Sequence, residues 1–345
     1  MATAAEVRAA FALQAAYCTQ LAAPFTALLC TLLGERLDRS TPIGRRVLDW
    51  SGDPDPIGDA LALRLCGGLH FLARSGDAPA LAACYPPASL PEADRLWAAL
   101  QPWLDSAALD TWLDSPPQTN EVGRAAVLMA GLLAIAARFD QPLRLLELGA
   151  SAGLNLNLDL YGYDLGGLRT GDPASPVQLR PDWRGPPPPG ATVRIESRAG
   201  VDLNPVPVPA GRARLLAYVW ADQAERLARL EAALALAAAA PPGVDQGDAA
   251  DWLESRLAPA AGTVRVILHS VAFHYFPKDR KARIMAMADR AGAAATTDSP
   301  LAWLRYEEVD GEGRFSLRLR TWPGGEEHLA WTHPHGKSVT WLAGG

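Results

Sequence analysis

Lysine is nearly absent from this chain of 345 residues, which contains only Lys278, Lys281 and Lys337. Arginine carries most of the positive charge, acidic residues outnumber basic ones, and the formal net charge is −6. The sequence has no basic run, so it lacks the kind of surface that follows a phosphate backbone. We therefore expect no nucleic-acid partner.

Cysteines and long hydrophobic runs are also scarce. The four cysteines lie in the first quarter of the chain without C-x-x-C spacing, which predicts reduced thiols and a cytoplasmic protein. The most apolar run, residues 125–137, is shorter than the roughly 20 residues that span a bilayer. The first residues lack the basic and apolar segments of a signal peptide. We expect no membrane partner, and the sequence leaves the oligomeric state open.

Two regions of different character are predicted. Residues 1–118 have apolar residues at helical spacing, broken by proline and glycine, which predicts an all-helical cap region. In residues 119–345, short apolar runs alternate with helical segments, which predicts an α/β domain with a mostly parallel sheet. A strand is predicted at 192–197 and one long helix at 212–240. From Leu301 onward the pattern predicts an antiparallel meander.

The segment RLLELGASAGLNLN, residues 144–157, carries the main candidate site. Its apolar strand contains Glu147 and is followed by Gly149, Ser151 and Gly153. The spacing fits two kinds of turn after a strand, one that presents a nucleophile and one that lets a cofactor approach the backbone.

The first interpretation is the G-x-S-x-G turn of a hydrolase, in which Ser151 is the nucleophile. Asp248 with His274, or Asp298 with His333, would complete a triad in the order that such enzymes require. However, helical patterns rather than strands precede this turn, and no oxyanion segment of the HGGG type is present.

The second interpretation is a cofactor loop. An acid with glycines two and six places on resembles the first motif of Rossmann-like S-adenosylmethionine-dependent methyltransferases. The segments TVRIES, QGDA and VRVILHSVAFHYFP follow in that family's order. This resemblance implies a sheet of methyltransferase type, S-adenosylmethionine as cofactor, and eight cofactor-binding residues. These are Glu147, Gly149, Ser151, Gly153, Asn155, Glu196, Asp248 and Ala249.

The resemblance also implies roles for these residues. Glu147 would attract the ammonium group, Glu196 would accept the ribose hydroxyls, and Asp248 would accept the adenine amino group. Substrate and methyl donor would meet beyond the fourth strand, so His269, His274 and Tyr275 are the candidate catalytic residues. A base is needed only if the acceptor must lose a proton.

Two further groups of residues are notable. Asn120, Glu121 and Arg124 precede the strand at 143–148, where they would contact the substrate, or else cap a helix and form an exposed ion pair. His333 and His335 have the H-x-H spacing of some metal ligands. No third candidate ligand lies at a spacing typical of a metal site, so no metal site is predicted.

Three features depart from the methyltransferase pattern. Ser151 replaces the usual middle glycine. Residues 154–195 make the connection about twice the usual length, which suggests a lid or a substrate loop. The run LNLNLDL alternates with period two, although the motif requires a helix there, and we expect a short helix.

Over its whole length the sequence resembles a bacterial family known as domain of unknown function 2332. The motifs that carry this resemblance are QTNEVGR, LLELGASAGLN, VWADQ, GDAADWL, LAWLR, WPGG and HPHG. No reaction carries over from that family. The expected function is therefore methyl transfer to a small molecule. A serine hydrolase and a non-catalytic protein that binds a nucleotide-like ligand are the alternatives.

Overall fold

The computed structural model describes residues 2–309, 311 and 313–342. Its contacts divide the chain into two units. The helical unit consists of Met1–Thr119 and Gly211–Ala228, and the sheet unit of Asn120–Ala210 and Arg229–Gly345. The helical unit therefore includes a second, distant segment that the sequence-based division into 1–118 and 119–345 assigns to the other part.

The helices and strands are as follows. The α-helices are α1 (Ala4–Gln20), α2 (Pro24–Arg36), α3 (Pro42–Leu48), α4 (Leu61–Ser75), α5 (Pro79–Ala82), α6 (Ala93–Leu100), α7 (Ala107–Leu113), α8 (Arg124–Phe139), α9 (Arg212–Ala217), α10 (Ala224–Ala239), α11 (Ala249–Glu254) and α12 (Lys278–Ala293). Short 3-10 helices occupy Gln101–Asp105, Leu154–Leu160 and Phe273–Tyr275. The strands are β1 (Leu143–Leu148), β2 (Gly162–Leu165), β3 (Leu168–Gly171), β4 (Gln178–Leu179), β5 (Asp182–Arg184), β6 (Ile195–Asp202), β7 (Val244–Gln246), β8 (Val264–Ser270), β9 (Leu301–Glu308), β10 (Phe315–Trp322), β11 (Glu326–Thr332) and β12 (Ser338–Trp341).

The helical unit begins with a capping box at α1. The Thr3 hydroxyl accepts the Glu6 N–H at 3.2 Å, and the Glu6 carboxylate accepts the Thr3 N–H at 2.7 Å. These two bonds satisfy amide groups that have no acceptor within the helix. Leucines from α2, α4, α6 and α7 then form one buried core, with Leu33, Leu65, Leu69 and Leu96 fully buried.

The predicted single helix over 212–240 is wrong, because the chain forms α9 and α10 with a break between them. Asp222 lies in this break. Its carboxylate accepts the N–H groups of Phe25 and Thr26 at 2.7 and 3.0 Å, and the Thr26 hydroxyl at 2.6 Å. The break therefore places an acidic side chain at the start of α2.

The start of α2 needs such an acceptor. The residue before the helix is Ala23, whose side chain cannot accept a hydrogen bond, and the first amides of a helix have no acceptor inside it. A carboxylate also interacts favourably with the positive end of the helix dipole. Asp222 thus caps a helix about 200 residues earlier in the chain, which local helical periodicity could not indicate.

The sheet unit contains a nine-stranded sheet in the order β5-β12-β11-β10-β9-β8-β1-β6-β7. Five neighbouring strands, β7, β6, β1, β8 and β9, are parallel to one another. Beyond β9, the strands β10, β11 and β12 continue the sheet in antiparallel pairs. This arrangement confirms a mixed α/β protein with a helical N-terminal region, a mostly parallel sheet and additional antiparallel strands. Among the five parallel strands the order reverses between β1 and β8, and such a switch point opens a crevice at the carboxyl ends.

Both faces of the central strands are covered. On one face, Leu146, Leu148 and Ile267 pack with Trp252 of α11 and Ile284 of α12. On the other face, α8 lies against β9 and β10, where its Arg138 donates to the Thr321 hydroxyl at 2.8 Å. Because both faces are covered, β1 and β8 are buried along nearly their whole length, including the charged side chains of Glu147 and Arg265.

The long connection after β1 contains more structure than the sequence predicts. The expected short helix is present as the 3-10 helix at Leu154–Leu160. Strands β3, β2 and β4 form a separate small sheet, and β5 pairs in parallel with β12 at the edge of the large sheet. Among the described residues, no helix combines the length and the apolar composition needed to cross a membrane.

Replacing Asp222 with alanine tests the break between α9 and α10. We expect Asp222→Ala to lower the free energy of unfolding by about 1–2 kcal/mol, the usual cost of losing a helix cap. Urea denaturation measures this difference. Asp77→Ala, at an exposed position of the same unit, is the control and should change stability by less than ~0.5 kcal/mol. Equal stability of the two variants would contradict the capping role.

Candidate functional site

The loop after β1 lies at the switch point and is strongly constrained. Gly149, Ser151 and Gly153 have φ angles of 72°, 54° and 71°. A Cβ atom on Gly149 would lie 2.7 Å from the Cβ of Ala272, and one on Gly153 would lie 2.7 Å from Val244. Both glycines are therefore required by backbone conformation and by the close approach of neighbouring chain segments.

Three buried polar atoms in and beside this loop have no hydrogen-bond partner among the described residues. They are Glu147 Oε2, Ser151 Oγ and Asn155 Oδ1. Glu147 and Asn155 are each 1% exposed, and Ser151 is 6% exposed. Since buried polar groups in proteins are normally bonded, three such atoms within nine residues mark a candidate ligand site. A carboxylate oxygen and an amide oxygen accept hydrogen bonds, so this ligand would carry donors.

Glu147 is electrostatically unusual. Burial raises the pKa of its carboxyl group to about 8, and the nearby charge of Asp202 acts in the same direction. The Arg124 charge and a hydrogen bond from Asn155 act against this rise. Near neutral pH the carboxyl group is therefore mostly protonated, and a cationic ligand would favour its ionised form.

Asp202 lies beside this loop, and sequence reasoning missed it. It ends β6, and its carboxylate accepts the N–H groups of Ser151 at 2.8 Å and Asn204 at 2.9 Å. The detectable signal was an acid immediately after Val201, the last fully buried residue of that strand.

The sequence prediction had assigned this place to Glu196, and the position is wrong. The strand predicted at 192–197 runs over Ile195–Asp202 instead, because pairing with all six residues of β1 sets its extent. Glu196 is exposed and is the second residue of β6. It is six residues from Asp202, roughly 20 Å along a strand, so it lies at the opposite end from the loop.

Asp248 and Ala249 follow β7, which pairs with β6. Ala249 is the first residue of α11, and Asp248 is its N-cap, accepting the N–H groups of Ala250 and Asp251 at 2.9 and 3.2 Å. The Asp248 carboxylate also lies 3.2 Å from Arg280. In the structure Asp248 thus caps a helix and pairs with a charge, and it makes no hydrogen bond to His274.

Asn120, Glu121 and Arg124 lie at the same end of the sheet. Asn120 Oδ1 accepts the Leu154 N–H at 2.8 Å, beside the loop after β1. The Arg124 guanidinium donates to the Ser270 carbonyl at 2.9 Å, at the end of β8. These two residues therefore connect both sides of the switch point.

Glu121 does not form an exposed ion pair, because it is only 3% exposed. Its Oε1 accepts the Gly123 N–H at 3.0 Å, and its Oε2 lies 3.5 Å from His335 Nδ1. The backbone N–H of His335 donates to the ring nitrogen Nδ1 of His333 at 3.1 Å. Among the described residues no group of three or more potential ligands could hold a metal ion.

The three candidate catalytic residues lie at the end of β8, which contains His269, and in the loop after it, which contains His274 and Tyr275. His269 is fully buried, and its Nδ1 lies 2.7 Å from Glu307 Oε1. His274 is exposed, and its Nδ1 lies 3.2 Å from Glu307 Oε2. Tyr275 is 74% exposed. The structure therefore brings the two histidines together on one acid, while Tyr275 points to solvent.

Glu307 is the second residue that sequence reasoning missed. Burial would raise the pKa of its carboxyl group, but hydrogen bonds from His269, His274 and the Ala272 N–H hold it well below its usual range. The available signal was an acid near the carboxyl end of a strand next to β8, which is recognisable only once the strand order is known.

The geometry thus defines an α/β protein with buried, partly unsatisfied polar side chains at the switch point of its sheet. A family model described as "Uncharacterized protein conserved in bacteria (DUF2332)" matches residues 8–341. The chain belongs to this family, as its motifs indicated. No curated protein and no solved structure matches it.

The buried carboxyl group of Glu147 predicts a pH-dependent stability. Its pKa is about 8 in the folded chain, against the ordinary value of 4.5 for a solvated glutamate in the unfolded chain. Between these values the folded state keeps a proton that the unfolded state loses, so raising the pH destabilises the fold. We expect the stability advantage of Glu147→Gln over wild type to grow from pH 5 to pH 8, by up to ~1.4 kcal/mol per pH unit.

Urea denaturation at pH 5, 6.5, 8 and 9 measures this difference. It should level off above pH 8, where the folded wild type also loses the proton. Glu196→Gln is the matched control, because this exposed acid should give a nearly constant difference from wild type. A difference between Glu147→Gln and wild type that does not change with pH would contradict the raised pKa.

Proposed function

We propose that this protein is an S-adenosylmethionine-dependent methyltransferase that acts on a small molecule. The observation that carries the proposal is the set of unpartnered, buried polar atoms of Glu147, Ser151 and Asn155 at the switch point. All three can accept hydrogen bonds when Glu147 is ionised, and the proposed cofactor presents donors in its ammonium group and its ribose hydroxyls.

The residues present fit this cofactor. Glu147 and Asn155 would accept from the ammonium group, and the carboxylate of Glu147 would gain a compensating positive charge. Asp202 would accept from the ribose hydroxyls, in place of Glu196. Its carboxylate already accepts two backbone N–H groups, but two oxygens offer about four acceptor positions. The positive φ angles of Gly149 and Gly153 hold the loop in the conformation that brings these polar atoms together.

The strand order supports a sheet of methyltransferase type. The five parallel strands occur in the order third, second, first, fourth and fifth along the chain, which is the order of a doubly wound nucleotide-binding sheet. The antiparallel strands from β10 onward take the place of the last helix that the resemblance implies. The polar atoms and Asp202 then lie on the two strand ends that such a sheet uses for its ligand.

S-adenosylmethionine supplies an activated methyl group when bound. The residues of this chain would contribute orientation and the exclusion of water rather than covalent chemistry. Holding an acceptor in line with the methyl group can replace a large part of the entropic barrier of a bimolecular reaction. Asn120 and Arg124 connect the loop after β1 to the end of β8, and we place the acceptor beside them.

Thermal melts with S-adenosylhomocysteine test the cofactor site. At about 100 times its dissociation constant, the ligand should stabilise the wild type by roughly 2.7 kcal/mol, which is a Tm rise of several degrees. Asp202→Asn should bind roughly 10- to 100-fold more weakly, because it loses charge-assisted hydrogen bonds.

Glu196→Gln is the control for this test and should respond to the ligand like the wild type. The absence of a shift at millimolar ligand would overturn the proposal. Equal weakening in both variants would mean that Asp202 has no specific contact with the ligand. Stabilisation without methylation of any acceptor would favour the non-catalytic alternative.

A serine hydrolase is the second candidate, because Ser151 has a positive φ of 54° immediately after a strand. A nucleophilic serine on a strand-to-helix turn is strained in a similar way. However, Ser151 Oγ has no hydrogen-bond partner among the described residues, whereas a nucleophile needs a base. The proposed base, His274, is bonded to Glu307 instead.

Activity-based labelling separates these two candidates. We expect a fluorophosphonate probe to leave the wild-type protein unlabelled, because Ser151 lacks a base that would activate it. Mass spectrometry of the intact protein measures the label, and Ser151→Ala provides the control. Stoichiometric labelling of the wild type that is absent from Ser151→Ala would establish the hydrolase instead.

A further inference from the structure

Glu307 of β9 makes several hydrogen bonds to the end of β8 and to the loop after it. Its Oε1 accepts the N–H groups of Ala272 and Phe273, each at 3.0 Å, together with His269 Nδ1 at 2.7 Å. Its Oε2 accepts from His274 Nδ1 at 3.2 Å. One carboxylate on β9 thus holds the imidazole of His269 on β8, and the backbone and the His274 imidazole of the loop that follows.

This contact set determines the tautomers of both histidines. An ionised carboxylate can only accept hydrogen bonds, so each imidazole must carry its proton on Nδ1. In the neutral form Nε2 is then an acceptor. For His269 this nitrogen is buried, and the ring is stacked on Phe273 with centroids 4.7 Å apart. For His274 the side chain is 37% exposed, so its ring is accessible.

The loop lies directly against the proposed cofactor loop. Ala272 Cβ is so near Gly149 that an added Cβ there would be 2.7 Å away, and the Phe276 ring is within 3.7 Å of the same point. Other charged groups also face this loop. Lys281 of α12 donates to the His274 carbonyl at 2.9 Å, and Arg124 of α8 donates to the Ser270 carbonyl at 2.9 Å.

We propose that Glu307 is a positioning residue that holds His274 in the Nδ1–H tautomer, which makes its Nε2 the proton acceptor for the substrate. This inference rests on the proposed function and adds the substrate class. The acceptor is a small molecule whose reacting oxygen, sulfur or nitrogen bears a proton. An acceptor that already has a lone pair and no proton to lose, such as a tertiary amine, would need no such base.

The proposed step is balanced. The acceptor atom gives its proton to His274 Nε2 and uses the electron pair so released to bond the methyl carbon. The pair of the broken carbon–sulfur bond stays on sulfur, and the proton later passes from His274 to solvent. The negative charge of Glu307 stabilises the imidazolium that forms in between, as a carboxylate does beside other catalytic histidines.

The ¹⁵N chemical shifts of the histidine side chains test this inference on the full chain. In the wild type, neutral His274 and His269 are expected to show the Nδ1–H pattern. In Glu307→Gln, the side-chain amide can donate as well as accept, so His274 is expected to shift toward the Nε2–H pattern. The amide oxygen can still accept the Ala272 and Phe273 N–H groups, whose hydrogen exchange should stay slow. This combination separates a tautomer-setting role from a merely structural one.

Glu308→Gln is the matched control, because it makes the same substitution at the adjacent residue of β9, where the side chain bonds the Gly313 N–H at 2.9 Å instead. It should leave both histidine patterns unchanged. An Nε2–H pattern for wild-type His274 would overturn the inference, and so would an unchanged Nδ1–H pattern in Glu307→Gln. If Glu307→Gln does not fold, the tautomer of His274 in the wild type is the test: the Nδ1–H pattern supports the inference and the Nε2–H pattern overturns it.

The outcome is distinguishable from failure of the proposed function. The histidine patterns are recorded without any cofactor, whereas the proposed function depends on the S-adenosylhomocysteine melt. Binding of S-adenosylhomocysteine together with the Nε2–H tautomer of His274 would support the methyltransferase proposal and contradict the role proposed for Glu307.

Discussion

β1 lies between β6 and β8 and pairs in parallel with both, with Glu147 level with Gly200 on one side and Leu268 on the other. Because all three strands run in the same direction, their carboxyl ends meet at one edge. This pairing brings the glycine loop, Asp202 and the loop after β8 together from distant parts of the chain. The candidate site therefore depends on strand register, which sets the contacts between the glycine loop, Asp202 and the loop after β8.

Burial gives these contacts their chemical character. Glu147 and Glu307 are both buried acids at this edge, yet burial alone does not determine their protonation. Glu307 receives four donors and remains ionised, whereas Glu147 faces Asp202 and keeps its proton near neutral pH. Two carboxyl groups in one crevice thus differ in charge because their hydrogen-bond partners differ. A ligand that binds beside Glu147 meets a group whose charge it can change.

The sequence predicts the elements that have strong local patterns. The two regions, the strand at β1, the short helix after the glycine loop and the antiparallel strands all follow from spacing and turn residues. The errors have non-local causes. Glu196 closes the segment TVRIES, which the resemblance takes as the end of a strand, whereas pairing with β1 and β7 extends this strand to Asp202. The break before α10 depends on a cap for α2, and Glu307 becomes visible only when β9 is known to lie beside β8.

The cap of α2 also has a consequence for the order in which the chain is made. The capped amides belong to Phe25 and Thr26. The carboxylate that accepts from them belongs to Asp222, which lies 197 residues after Phe25 in the chain. A ribosome adds roughly 5–20 residues per second, so about 10–40 s separate the synthesis of the two partners. During that interval the first turn of α2 can be capped only by water. The helical unit, although it contains the earliest residues of the chain, is completed only after the central strand β1 and its partner β6 have been synthesised.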